Sequence, residues 1–120
     1  MLLKVDSETR ELERLVRLGR SPDCPDLLYR YLRLYTEKFS QQGVEASRAY
    51  LTRVIDLLLE TICDPLVPYH WRALCLDSIH QPVFDLSNLP RTENNRRLLR
   101  NKTYEIGVLT RHLFQYGGAS

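Results

Sequence analysis

Apolar side chains crowd the stretch from Ala46 to Cys63, ASRAYLTRVIDLLLETIC. Ala46, Ala49, Tyr50, Leu51, Val54, Ile55, Leu57, Leu58, Leu59, Ile62 and Cys63 leave one thin polar line, through Arg48, Thr52, Asp56 and Glu60. Steps of four residues keep that line on a single helical stripe and leave most of the cylinder apolar. Such a helix needs neighbours on several sides. The pattern predicts the buried central helix of a bundle, its polar line forming a solvent-facing edge with Arg53 beside Asp56.

The flanking segments repeat the helical period. Leu12, Leu15 and Val16 predict a helix over about 7–18, capped by Asp6 or Ser7 and stopped by Gly19 and Pro22. Glu13 stands four residues before Arg17, the favourable orientation for an exposed ion pair. SPDCPD at 21–26 starts a second helix, with Asp23 as cap and Pro25 in the first turn, running to about Ser40. Its core line is Leu28, Leu32, Tyr35 and Phe39, flanked by Leu27, Tyr31 and Leu34; QQG at 41–43 breaks it. Asp64-Pro65 closes the central helix, because a residue before proline avoids helical geometry.

A fourth helix is predicted over 68–80, burying Trp71, Leu74, Cys75, Ser78 and Ile79 and stopped by Pro82. Residues 82–91 read as an ordered connector anchored by Val83, Phe84, Leu86 and Leu89. Thr92 then caps a last helix over 93–116, about 35 Å long at 1.5 Å per residue, with Gly117-Gly118 beyond it. Leu99, Ile106 and Leu113 recur every seven residues, with Lys102, Leu109 and Tyr116 at the companion position, which is the seam of a helix pair. No stretch alternates as a strand does. The expected fold is all-α: a single-domain bundle spanning 1–120, of about five helices, with a buried central helix and a long C-terminal one.

Composition changes this picture little. The chain of 120 residues is 43% hydrophobic and 27% charged, with a formal charge of +2, as in an ordinary globular domain. The distribution of charge says more. Residues 1–62 carry ten basic and ten acidic side chains, 63–90 one and three, and 91–120 six and two, so the surplus lies wholly in the last quarter. Three irregularly spaced cysteines, Cys24, Cys63 and Cys75, argue against a disulfide framework and for reduced thiols in the cytoplasm. The start is too charged for a signal peptide, and no apolar run approaches a membrane span.

Candidate chemistry is sparse. His70, Cys75 and His80 are five apart, and each step turns them about 140° on a helix, so they cannot converge on one metal. No zinc spacing, nucleophile elbow or phosphate-binding glycine loop is present. Catalytic, metal and cofactor residues are therefore all expected to be none. Asp56 and Glu60 share a helix face and could perturb each other's protonation in a cleft, yet their simpler role is a solvent-facing edge partly neutralised by Arg53.

The strongest local bias is RTENNRRLLRNK at 91–102, where Arg91, Arg96, Arg97, Arg100 and Lys102 meet one acid, Glu93. Positive charge at a helix start opposes the helix dipole, which points to an anionic partner. Arginine is also the preferred interface cation. Tyr29 stands about 200° from Tyr31 on the second helix and adds a second partner-facing candidate. Leu98, Val108 and Phe114 lie off the last helix's heptad line and suit a dimer interface, and Gly107 could admit a close neighbour there.

The expected function is a small intracellular protein–protein interaction module, a regulator, adaptor or chaperone-like subunit, that self-associates as a homodimer and binds a protein with an acidic surface. Two alternatives stay open. One is a nucleic-acid-binding regulator using the basic start of the last helix. The other is an enzyme or enzyme subunit with a pocket at Asp56 and Glu60, or near His70 and Trp71.

Overall fold

The computed structural model describes residues 6–39 and 42–113. Six helices run through them: α1 (Ser7–Leu18), α2 (Pro25–Phe39), α3 (Val44–Cys63), α4 (Tyr69–Ser78), α5 (His80–Ser87) and α6 (Glu93–His112), with no strand among the described residues. Residues 1–5, the Phe39 side chain, Gln41, Phe114, Tyr116 and Gly117-Gly118 lie outside the described residues. None of the described helices is long and apolar enough to cross a membrane.

Local chemistry sets the helix ends. Asp6 accepts a 2.7 Å hydrogen bond from the Thr9 amide and caps α1. At the other end Gly19 adopts φ 59°, and its amide donates to the Leu15 carbonyl at 3.1 Å. A Cβ at Gly19 would come within 2.7 Å of Val67 Cγ1, so a side chain is barred by contact as well as by φ. Beside it the Trp71 indole donates to the Val16 carbonyl at 2.8 Å, fastening the end of α1 to α4. Thr92 caps α6 by accepting from the Asn95 amide at 3.2 Å.

The central helix is where its sequence puts it. Helix α3 touches each of the other five, and Leu51, Val54, Ile55, Leu58, Leu59 and Ile62 are all at or below 5% exposure. Around them pack Val16, Leu28, Trp71, Cys75, Ile79 and Leu86 in one contiguous core. Burial pushes the Cys75 thiol up to about 12. On α2 the core line is Leu28, Tyr31 and Tyr35, whereas Leu32 is only half-buried. Tyr31 was expected as a flank. It turns inward because its ring packs edge-on to Tyr35 at 4.9 Å, and Tyr35 in turn to Tyr50 at 5.7 Å.

The connector is the clearest departure from expectation. Residues His80–Ser87 are a helix, joined to α4 through the buried Ile79 alone. Pro82 does not stop it, because proline in a first turn removes an amide that would have no partner within that helix. Val83 and Leu86 then face inward three residues apart, while Phe84 is 60% exposed and anchors nothing.

The ion pairs also differ from the sequence reading. Glu13 is not exposed: at 8% exposure it accepts two hydrogen bonds from Arg53, at 2.7 and 2.8 Å, and one from the Tyr35 hydroxyl at 2.7 Å. This knot ties α1, α2 and α3 together. Burial works to raise the Glu13 pKa, but Arg53 and the tyrosine hydroxyls outweigh it and hold the carboxyl below its usual range. Arg17 instead reaches Asp64 at 2.8 Å, at the far end of α3. Local spacing proposed both Glu13–Arg17 and Arg53–Asp56, and tertiary packing broke both.

Candidate functional site

The polar line of α3 is neither a free edge nor an interior cleft. It is the seam on which α6 sits. Arg48 donates to Asn95 at 3.1 Å, and Asn95 donates onward to the Pro90 carbonyl at 2.8 Å. Eight residues further along α3, Asp56 accepts from Lys102. The two contacts advance in the same order on both helices, so α6 runs parallel to α3.

Past Lys102 the two helices leave a groove of about 460 Å³ between them. Helix α3 contributes Asp56, Leu59, Glu60 and Cys63, and α6 contributes Tyr104, Glu105, Val108 and Leu109. The groove surface is mostly apolar, and the carboxylates of Asp56, Glu60 and Glu105 stand along it. Tyr104 is 71% and Val108 39% exposed at its lip. Gly107, about 100° round the helix from Val108 and on the side away from the groove, is also exposed, and a Cβ there would meet nothing within 4 Å. Gly107 therefore serves no close approach within the described chain; it leaves a flat spot on the outer side of α6.

The basic cluster is divided. Arg91, Arg96, Arg97 and Arg100 are exposed, with Arg97 and Arg100 at 3.9 and 3.7 Å from Glu93. Lys102 does not join them. Its side chain is only 12% exposed and turned toward α3, bonded to Asp56 and 3.6 Å from Glu105. Burial works to lower its pKa, but these two carboxylates outweigh that and hold the ammonium above its ordinary value.

The other candidates scatter. Tyr29, 46% exposed, lines a separate hollow with Leu32, His80 and Phe84. Leu98 is half-buried, packing on the core with its other side on a hollow lined by Glu45, Arg48, Ala49 and Thr52 of α3. Val108 is exposed as a dimer contact would need, and Phe114 lies outside the described residues. The heptad residues Leu99, Ile106, Leu109 and Leu113 face the bundle itself, so the expected seam is spent within the chain.

Of the enzymatic candidates, Asp56 and Glu60 do line a pocket, the groove described above, whereas His70 and Trp71 lie away from it. His70 is exposed and lies 3.4 Å from Asp23, which is almost fully in solvent, while Trp71 is wholly buried beside it. Cys63 is exposed at the groove, but partial burial raises its thiol pKa despite Arg72 and Arg17 nearby, which disfavours the thiolate a nucleophile requires. Among the described residues no three His, Cys, Asp or Glu side chains gather as metal ligands would.

Sequence reasoning named a pocket at Asp56 and Glu60 but missed its α6 wall, because it treated the polar line of α3 and the exposed residues of α6 as separate features. The signal was present: Asp56 and Glu60 on a helix otherwise too apolar to face water mark where a helix with a matching cation docks. A scan against protein-family models, a search of curated proteins and a search of solved structures each return no match.

Proposed function

We propose that this chain works by contact: a small helical protein–protein interaction module of regulatory or adaptor type that self-associates through α6. The observation that carries the reading is the groove between α3 and α6, an apolar hollow whose lip, Tyr104 and Val108, is left in water. A large exposed aromatic beside an apolar hollow is the composition of an interface core. The exposed arginines of α6 suit an acidic protein surface. Free cysteines, two of them exposed, suit a reducing compartment such as the cytoplasm.

The nucleic-acid reading is weaker. Phosphate binding draws on a continuous basic surface, and here Lys102 is withdrawn from it, bonded to Asp56. Light scattering at micromolar concentrations tests the proposal. The expected mass is twice 14.1 kDa, and Val108→Asp returns it to the single-chain value. A stable specific dimer would bury about 1,200–2,000 Å². A single-chain mass for the wild type at every concentration would remove self-association from the account.

A further inference from the structure

The exposed surface around α6 falls into three bands. At 100° per residue, Arg97, Arg100 and Arg111 lie on the side of α6 turned away from both α3 and α5, and all three are exposed. Tyr104 stands among these arginines, with Glu93 at 3.9 and 3.7 Å from Arg97 and Arg100 on the same side, and Val108 lies about 40° further round toward α3, at the lip above Leu59 and Leu109 in the groove. Glu105 stands on α6 between Val108 and Leu109, with a side-chain exposure of 48%, and across the groove on α3 the carboxylates of Asp56 and Glu60 keep exposures of 45% and 68%. Lys102 offsets part of that charge. Arg17 lies 3.6 Å from Glu60, but its closer partner is Asp64 at 2.8 Å. Because α3 and α6 are parallel, the order across this face runs along the whole pair of helices: arginines with Tyr104, then the apolar groove, then Asp56 and Glu60 on α3.

That order is self-complementary under one kind of twofold rotation. An axis along the apolar band turns a second copy over so that each basic band faces an acidic band, twice over. An axis across the band would set arginine against arginine. Building on the self-association proposed above, we infer that the occupant of the groove is a second copy of this chain, packed with its α6 parallel to the first. Arg100 of each copy then lies over Asp56 of the other, and Arg111 over Glu60. The levels agree. Lys102 marks the height of Asp56, so Arg100 is two residues, about 3 Å, before it along the axis. Glu60 stands four residues after Asp56, level with Ile106, and Arg111 is about 7.5 Å beyond, within the span of two extended side chains. Such an interface is isologous and closes at two copies.

A charge exchange tests the arrangement. Arg111→Glu and Glu60→Arg both alter exposed side chains, and circular dichroism and thermal melting should show each variant folded as the wild type is. Sedimentation velocity should show each variant alone dissociating about tenfold more readily, since like charges then meet twice. An equimolar mixture should recover wild-type association, because a mixed pair holds one native and one exchanged contact, both attractive. Arg96→Glu, on the α5 flank of α6, should associate as the wild type does. A dimeric wild type whose variants do not complement one another overturns this packing while leaving self-association standing. A wild-type mass of 14.1 kDa at every concentration overturns both.

Discussion

Replacing Arg53 with methionine keeps most of its packing volume and removes the cation facing Glu13. The carboxylate is then left at 8% exposure with only the hydroxyls of Tyr35, at 2.7 Å, and Tyr31, at 3.4 Å, as donors. Removing one partner of a fully buried pair costs about 3–5 kcal/mol, because the other charge stays desolvated. The Arg53 side chain is 40% exposed, so water already screens part of the pair, and about 2–3 kcal/mol is the expected loss at pH 7. The loss should depend on acidity. In the wild type the Glu13 pKa is lowered, so its contribution is present above the unfolded carboxyl's pKa and is lost as pH falls through the folded one. In Arg53→Met, burial acts without the cation and the folded pKa rises above the unfolded value. Protonation then relieves the buried charge, and the difference between variant and wild type should shrink from pH 7 towards pH 4. Urea melts at both pH values, repeated in a Glu13→Gln background, measure this directly. In that background Arg53→Met should cost less than about 1 kcal/mol, the difference being the coupling between the two residues. An equal cost in both backgrounds, or one that does not change with pH, would refute the argument.

The core and the α1–α4 fastening make further predictions. Leu58→Ala or Ile55→Ala should lower stability by about 2–5 kcal/mol in denaturant melts; no loss for either would mean that α3 is not the centre of the core. Gly19→Ala should cost about 1–3 kcal/mol, since alanine is strained at φ 59° and its Cβ would press on Val67. Trp71→Phe should cost about 1–3 kcal/mol, because the Val16 carbonyl near the end of α1 loses its indole donor in a dry site.

Most of the architecture could be read from apolar spacing alone, because helix period and burial are both local patterns. Helix α3, the Asp6 and Thr92 caps and the Gly19 stop all follow from residues within a turn of one another. What spacing could not supply were choices between competing partners. Glu13 had Arg17 four residues away and took Arg53, forty residues away, because two tyrosine donors and a dry pocket were there as well. Pro82 was read as a stop because its position within a turn was unknown; two residues into α5 it is harmless. The candidate site shows the same limit. The arginines and the excess of apolar positions on α6 were legible as features, but the groove exists only where α6 lies parallel to α3. Lys102, counted among the outward cations, was in fact a docking contact between the two helices.

Hydrogen exchange as a function of protein concentration tests the central claim, that the α3–α6 face is where this chain meets another molecule. On raising the concentration from below to above the association midpoint, amides in 56–63 and 100–111 should slow together, while those of α1 and α2 stay unchanged. Protection that rises instead around Tyr29 and Phe84, or exchange that is the same throughout the chain at every concentration, would contradict it.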